Sequence, residues 1–413
     1  MAIALITVVS IGALAIGSGL LRLQPAPTSP VVAPPSAQPI PTAQTPAAAI
    51  WTAAGAMLGR RQSHTATLLH DGQVLIAGGT NGSKGLATAE LYDPATGTWT
   101  ATGHMIHARQ RQTATLLLDG RVLVTGGVTT DGDMASAELY QPASGTWRAV
   151  GAMHDARIEG TATLLTDGRV LVAGGIGADG SFLRSAELYD PATERWTVTG
   201  SLSAGRFGHT ATLLPDGKVL IVGGTRALAG DPQHADVSSS AEVFDPIAGT
   251  WSPTGSMATG RRNHSATLLP NGTVLVVGGV SPGGVTHPDG TGGAHGLASA
   301  EIYDPSSESW TTTGSLTDAR AAQTATLLLD GRVLVAGGTS GVEDLASAEL
   351  FDSTSGSWTA GGDLQTPRRG ETATLLEDGR VLVAGGSKLL GIVDGNAVLQ
   401  VEASAELFDP GDR

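Results

Sequence analysis

Seven arginines recur at one position of the 413-residue chain: Arg61, Arg109, Arg157, Arg206, Arg261, Arg320 and Arg368. Each stands three residues ahead of a segment of the type His64-Thr-Ala-Thr-Leu. A ring of seven guanidinium groups is able to bind an acidic ligand. A matching series of carboxylates, Glu90, Glu138, Glu187, Glu242, Glu301, Glu349 and Glu406, opens a later segment of each copy. Seven against seven reads as a repeated structural ion pair. Four further arginines, Arg60, Arg111, Arg262 and Arg369, have no matching glutamate, and they are the better candidates for an anion-binding surface.

Other groups break the repetition. Two neighbouring insertions carry Asp231, His234 and Asp236, then His287, Asp289 and His295. Such oxygen–nitrogen sets are able to hold a divalent ion, but the spacing carries no metal signature, and the expectation is a binding loop without metal or cofactor. His64, His209 and His264 begin segments that elsewhere begin with Gln112, Gly160, Gln323 or Glu371, and their ordinary role is to cap local backbone within a polar ring. Glu371 is the one carboxylate at that position. It reads as a general base if the chain is an enzyme, or as a partner of Arg369 or of an arginine in a neighbouring repeat. With no cysteine, disulfides, thiol nucleophiles, iron–sulfur clusters and Cys-ligated zinc are excluded. No Gly-x-Ser-x-Gly elbow, phosphate loop or His-Glu-x-x-His occurs. A net charge of -14 argues against nucleic acid as a partner, since that requires a basic face.

The elements that must position these groups repeat. Glycine pairs fall at Gly78-Gly79, Gly126-Gly127, Gly174-Gly175, Gly223-Gly224, Gly278-Gly279, Gly337-Gly338 and Gly385-Gly386. Their intervals of 48 to 59 residues mean an array of similar units. Each copy predicts four strands: Thr-Ala-Thr-Leu, a two-residue Asp-Gly hairpin turn, a Val-Leu-Val strand ending at the glycine pair, Glu-Leu-Tyr-Asp, and a strand opening with tryptophan. The first and third strands run in the same direction, so the Arg and Glu series belong to one face. One such sheet cannot bury both faces alone, and radial stacking of neighbours gives a β-propeller. The seventh copy ends at Ala405-Glu-Leu-Phe-Asp-Pro410 without its tryptophan strand. The missing piece stands at the other end, where Trp51-Thr-Ala-Ala-Gly-Ala-Met57 matches Trp99-Thr-Ala-Thr-Gly-His-Met105. The expected fold class is therefore all-β: seven four-stranded antiparallel blades, with an N-terminal strand closing the last.

The glycine pair, the tyrosine, the tryptophan that follows it and the Arg-x-x-His lead-in resemble the kelch-repeat family over residues 51–413. The resemblance implies a propeller with Trp and Tyr as packing anchors between blades, and names no substrate. Some kelch-like propellers are copper–radical oxidases, which need a cysteine cross-linked to tyrosine. This chain has no Cys, and its tyrosines Tyr92, Tyr140, Tyr189 and Tyr303 all occupy the anchor position.

Residues 2–21 carry no charge and are long enough to span a bilayer as a helix, whereas Ala13-Leu14-Ala15 offers a cleavage site. The expectation is a membrane anchor or signal over 1–22, a Pro-rich disordered linker over 23–50, and an exported monomeric propeller beyond. Longer loops in copies four, five and seven point to recognition of a protein or glycan through the loop-rich face. The alternative is a carbohydrate isomerase or lyase working through Glu371.

Overall fold

The computed structural model describes residues 49–129, 132–228, 231–281, 296–393 and 396–411. The expected N-terminal apolar helix and most of the linker lie outside these residues. Among the described residues no helix is long and apolar enough to cross a membrane.

Seven four-stranded antiparallel sheets form, in the order the repeats demand. Blade 1 runs outward from Thr65–Leu68 through Val74–Ala77 and Ala89–Asp93 to Thr98–Ala101. The second strands, such as Val74–Ala77 and Val274–Val277, are buried along their whole length. A blade's second strand is covered by neighbours on both faces, which is why it reads as an unbroken apolar run and not as an alternation. Seven separate hydrophobic clusters result, one at each seam between blades.

The hairpin after the inner strand departs from the two-residue turn expected of Asp-Gly. Leu69 N–H donates to Gln73 O at 2.8 Å, and Gly72 N–H donates to Leu69 O at 3.1 Å. The loop therefore holds three residues, His70-Asp71-Gly72, with Gly72 in the left-handed region at φ 81°. That is a type I turn followed by a glycine bulge, which the extra residue ahead of Asp71 makes necessary.

Paired aromatics tie the blades together. Tyr92 packs on Trp99 with ring centroids 4.8 Å apart, and the Trp99 indole N–H donates to Ala54 O of the preceding blade at 2.9 Å. The same bond recurs from Trp147 to Gly103, Trp196 to Gly151, Trp251 to Gly200, Trp310 to Gly255 and Trp358 to Gly314. Trp51 completes the circle by donating to Gly361 O at 2.9 Å.

The ends close as the sequence predicts. Ile50–Ala56 lies antiparallel to Ser404–Asp409, pairing Trp51 with Phe408 and Ala53 with Glu406. Inner strands touch their neighbours all the way round, including Thr372–Leu375 against Thr65–Leu68. Because Ile50 pairs with Asp409, the propeller's two chain ends leave from the face that carries the Asp-Gly turns. The entry loops and the loops after the glycine pairs form a collar on the opposite face. There each entry loop bridges its own blade's longer loop, as in Gln62 with Thr80, Arg262 with Val280 and Arg369 with Ser387.

Candidate functional site

The seven Arg–Glu pairs are built into the collar's base. Arg61 pairs with Glu90, Arg109 with Glu138 at 2.6 Å, Arg157 with Glu187 at 2.8 Å and Arg206 with Glu242 at 2.7 Å. Arg261–Glu301, Arg320–Glu349 and Arg368–Glu406 repeat the contact at 2.8, 3.0 and 2.6 Å. Both partners are buried. Arg109 also donates to Gly126 O and Ser136 O, while Glu138 accepts the backbone N–H groups of Ile106 and His107. One ion pair thus pins entry loop, glycine pair and return loop together, with both terminal guanidinium nitrogens of Arg109 and both oxygens of Glu138 spent on the frame. These groups face no ligand.

The four extra arginines part company. Arg111 forms an ion pair with Glu159 of the next blade at 2.8 Å. Arg369 Nε lies 3.2 Å from Asp344 of the preceding blade, whose side chain is 2% exposed. Both contacts correct the expectation that these arginines lack carboxylates: the partners come from neighbouring blades, Glu159 from the same repeat position as Arg111 and Asp344 from a return loop. Arg60 is exposed and Arg262 half-buried on the collar. His287, Asp289 and His295 lie outside the described residues. Asp236 stands 3.9 Å from Arg226. Among the described residues no group of three or more His, Asp or Glu is arranged to hold a metal ion.

Just inside the collar the residue opening the inner strand latches onto the preceding blade in five of the seven blades. His64, His209 and His264 meet the hydroxyls of Thr372, Thr161 and Thr210 at 3.1, 3.1 and 3.0 Å. Gln112 and Gln323 donate to Ala77 O and Val277 O, both at 2.9 Å. Glu371 occupies the same place in blade 7. It is buried, neither carboxyl oxygen has a hydrogen-bond partner, and burial pushes its carboxyl up to about 8. The Arg369 partnership considered for it goes to Asp344 instead. A carboxyl enclosed by two blades is poorly placed to reach a substrate.

Gly160 leaves blade 3 without a latch, and the Thr113 hydroxyl that should receive one is buried and unpartnered. Gly160 is not in the left-handed region, although a Cβ there would lie 3.0 Å from Gly174 O. Gly160→Gln is expected to stabilise the propeller by about 1 kcal/mol, adding one buried hydrogen bond and restricting the unfolded chain. Urea denaturation measures it; a lower midpoint would show that this seam has no room.

The position before each latch lies in the left-handed region all round the mouth. Ser63, Arg111, Glu159, Asn263 and Ala322 have φ between 52° and 56°, with Gly208 and Gly370 at 65° and 63°. Their backbones link blade to blade: Arg111 N–H to Ser63 O at 3.0 Å, Glu159 to Arg111 at 3.4 Å, Asn263 to Gly208 at 2.9 Å, Ala322 to Asn263 at 3.0 Å and Gly370 to Ala322 at 3.3 Å. Five residues with side chains in a region that disfavours them are stored strain, which tends to gather where a surface has a task.

Sequence reasoning missed one pair on this collar. Of sixteen aromatic residues, fourteen are the seven Trp and their seven Tyr or Phe partners. The two left over, Phe182 in blade 3's return loop and Phe207 in blade 4's entry loop, pack on each other with centroids 4.8 Å apart. Both are half-exposed. A Cβ on Gly205 would overlap Phe182 O, and Arg206 N–H donates to Leu183 O at 3.2 Å, so the pair is held rigidly. Gly208 follows Phe207 and abuts Asn263 and Arg262, which carries the patch into blade 5. Subtracting the anchors from the aromatic count would have found these two.

Open grooves of about 350 and 380 Å³ lie between blades on the opposite face, lined by turn residues such as Asp119, Asp167 and Pro191 or Asp216 and Asp304. Their carboxylates are engaged locally, Asp119 by Arg121 at 2.6 Å and Asp304 by Ser306 N–H at 2.8 Å.

Residues 63–105 match the Kelch motif, and residues 88–345, more than half of the chain, match the Attractin/LZTR1 β-propeller family. The chain belongs to that family of kelch-type propellers. An F-box/kelch-repeat protein of Arabidopsis thaliana is 40% identical to this propeller over 78 residues, which are 19% of this chain and 15% of that relative's length. A fungal alcohol oxidase of the AA5 family, solved in complex with copper, superposes with a TM-score of 0.66 at 20% identity, covering 87% of this chain and 76% of its own. The structure of YjhT superposes at 0.57 and 16% identity, covering 74% of this chain and 98% of its own. Both likenesses are of fold. The kelch propeller fold supports a binding or scaffolding role for this chain.

Proposed function

We propose that this kelch propeller is a non-catalytic recognition module, tethered outside the cytoplasm through its N-terminal segment, which binds a partner protein through the collar. The observation that carries this reading is the contrast between frame and seam. Ion pairs and aromatic anchors repeat around the wheel, while the residues meeting at each collar seam change chemistry: Phe182 with Phe207, Asp344 with Arg369, Val401 beside Gly82. Constancy inside and diversity at one rim is how a scaffold hosts a specific surface. Rigid aromatics with nearby arginines are the residue types that anchor protein interfaces. Ile50 and Asp409 stand at the other face, with the Asp-Gly turns.

The test uses the full chain carrying a photo-crosslinking side chain at Arg184, beside the phenylalanine pair, or at Ile247 on the turn face. With envelope extract, a protein adduct is expected from the collar position only. Phe182→Ala with Phe207→Ala is expected to weaken binding of that protein at least tenfold, about 1.4 kcal/mol or more. Adducts from position 247 alone, or affinity untouched by the double substitution, would overturn the face assignment.

A further inference from the structure

Glu371 breaks the latch series in a way that has a chemical reading. In blades 2 and 6 the latch is an amide whose N–H donates to the last carbonyl of the preceding blade's second strand, Ala77 O or Val277 O, both at 2.9 Å. The corresponding carbonyl at the seam between blades 6 and 7 is that of Ala336. Gln112 Nε2 and Gln323 Nε2 rest against the first glycine of the preceding pair, Gly78 and Gly278. Glu371 Oε1 rests in the same way against Gly337. Oε1 therefore stands where a donor stands in the sister blades, facing an acceptor. A carboxylate there would set two oxygen acceptors against each other in a buried seam, whereas a carboxylic acid has the hydroxyl donor the position requires.

We propose that Glu371 is a neutral carboxylic acid whose hydroxyl donates to the carbonyl oxygen of Ala336, making the seam between blades 6 and 7 a joint that weakens when this proton is lost to solvent. The charged groups around it are already committed. Arg320 and Arg368 favour the ionised form, but each is held by its own glutamate, Glu349 or Glu406. Asp344 disfavours the ionised form and is itself held by Arg369. The Thr324 hydroxyl donates to Ala336 O at 3.4 Å, and the backbone N–H of Glu371 itself, second in influence to burial, favours the ionised form. Burial is the largest influence and raises the carboxyl to about 8, from an ordinary value of 4.5. With the folded value above the unfolded one, the latch's contribution is whole below pH 4.5. It declines as pH rises, because the unfolded chain gives up the proton first, and is gone above 8.

The test compares the full-length chain with Glu371→Gln, which installs the amide that blades 2 and 6 already use. The ratio of their unfolding constants in urea is expected to climb tenfold per pH unit between about 4.5 and 8, one proton's worth, and to be flat below 4.5. A Glu371→Gln variant that unfolds in parallel with the native chain at every pH would overturn the proposal. Infrared difference spectra of the folded chain supply a second readout. A protonated carboxyl band at pH 6 that the Gln variant lacks, and that fades by pH 9, is expected; a carboxylate band at pH 6 would sink it. Gln323→Glu should build the same pH response into the seam between blades 5 and 6, and its absence there would also count against the mechanism.

Discussion

Removing residues 49–57 is expected to abolish cooperative folding near neutral pH. The excised strand is the outer edge of blade 7, where Trp51 packs on Phe408 with centroids 5.1 Å apart and joins the seam between blades 6 and 7. Ala54 and Met57 belong to the seam between blades 7 and 1. Two of the seven seams thus lose part of their core at once, and Ser404–Asp409 becomes an unprotected edge prone to pairing between molecules. Truncating a well-packed tryptophan alone typically costs about 3–5 kcal/mol. The whole strand should cost more, against a margin of about 5–15 kcal/mol for an entire domain. Thermal melts followed by tryptophan fluorescence and light scattering measure both losses. A synthetic peptide spanning residues 49–57 should restore folding when added in trans. If the shortened chain melted cooperatively within a few degrees of the native one, closure by the N-terminal strand would not matter to stability.

Mild acid is expected to unfold the molecule, and three histidines set where. His64, His209 and His264 are buried at their seams, and burial, reinforced by the neighbouring Arg61, Arg206 and Arg261, holds each imidazole down at about 3. An unfolded histidine titrates near 6.5, so the folded value is the lower of the two. Their contribution is therefore complete above pH 6.5 and is lost as pH falls from there toward 3. By pH 4 each forfeits about 3 kcal/mol, and the three together on the order of 10 kcal/mol. Glu371 works the other way between 8 and 4.5, regaining part of the loss without offsetting three groups. Replacing all three histidines by glutamine is expected to leave stability at pH 7.5 within about 2 kcal/mol. The acid midpoint should drop by at least one pH unit on circular dichroism. Superimposable acid transitions would show that these imidazoles do not govern acid lability.

The wheel was legible in the sequence because every device that builds it recurs. Glycine pairs mark where the next entry loop rests, Val-Leu-Val marks a strand covered on both faces, and Trp51 supplies the indole that the seventh copy lacks. The Arg–Glu ring was legible for the same reason. Contacts between blades were less so. Asp344 with Arg369 and Phe182 with Phe207 join positions that hold no common place in the repeat, and Arg111 meets Glu159 at one repeat position whose residue type changes from copy to copy. Glu371 was visible as an exception, but its chemistry depends on what encloses it, and only the fold shows two blades closing over that carboxyl. The Asp-Gly turn was misjudged by one residue, because His70 belongs to the loop and not to the strand.

The pairing of Ile50–Ala56 with Ser404–Asp409 also orders events on the ribosome. The first strand of the wheel to be translated has no strand to pair with until Ser404–Asp409 has been made, some 350 residues later. Blades 1 to 6 are able to stack as they emerge, each on the one before, but the growing stack stays open at both ends throughout. Completion is one late, long-range encounter, slow because the two strands it joins lie so far apart in sequence.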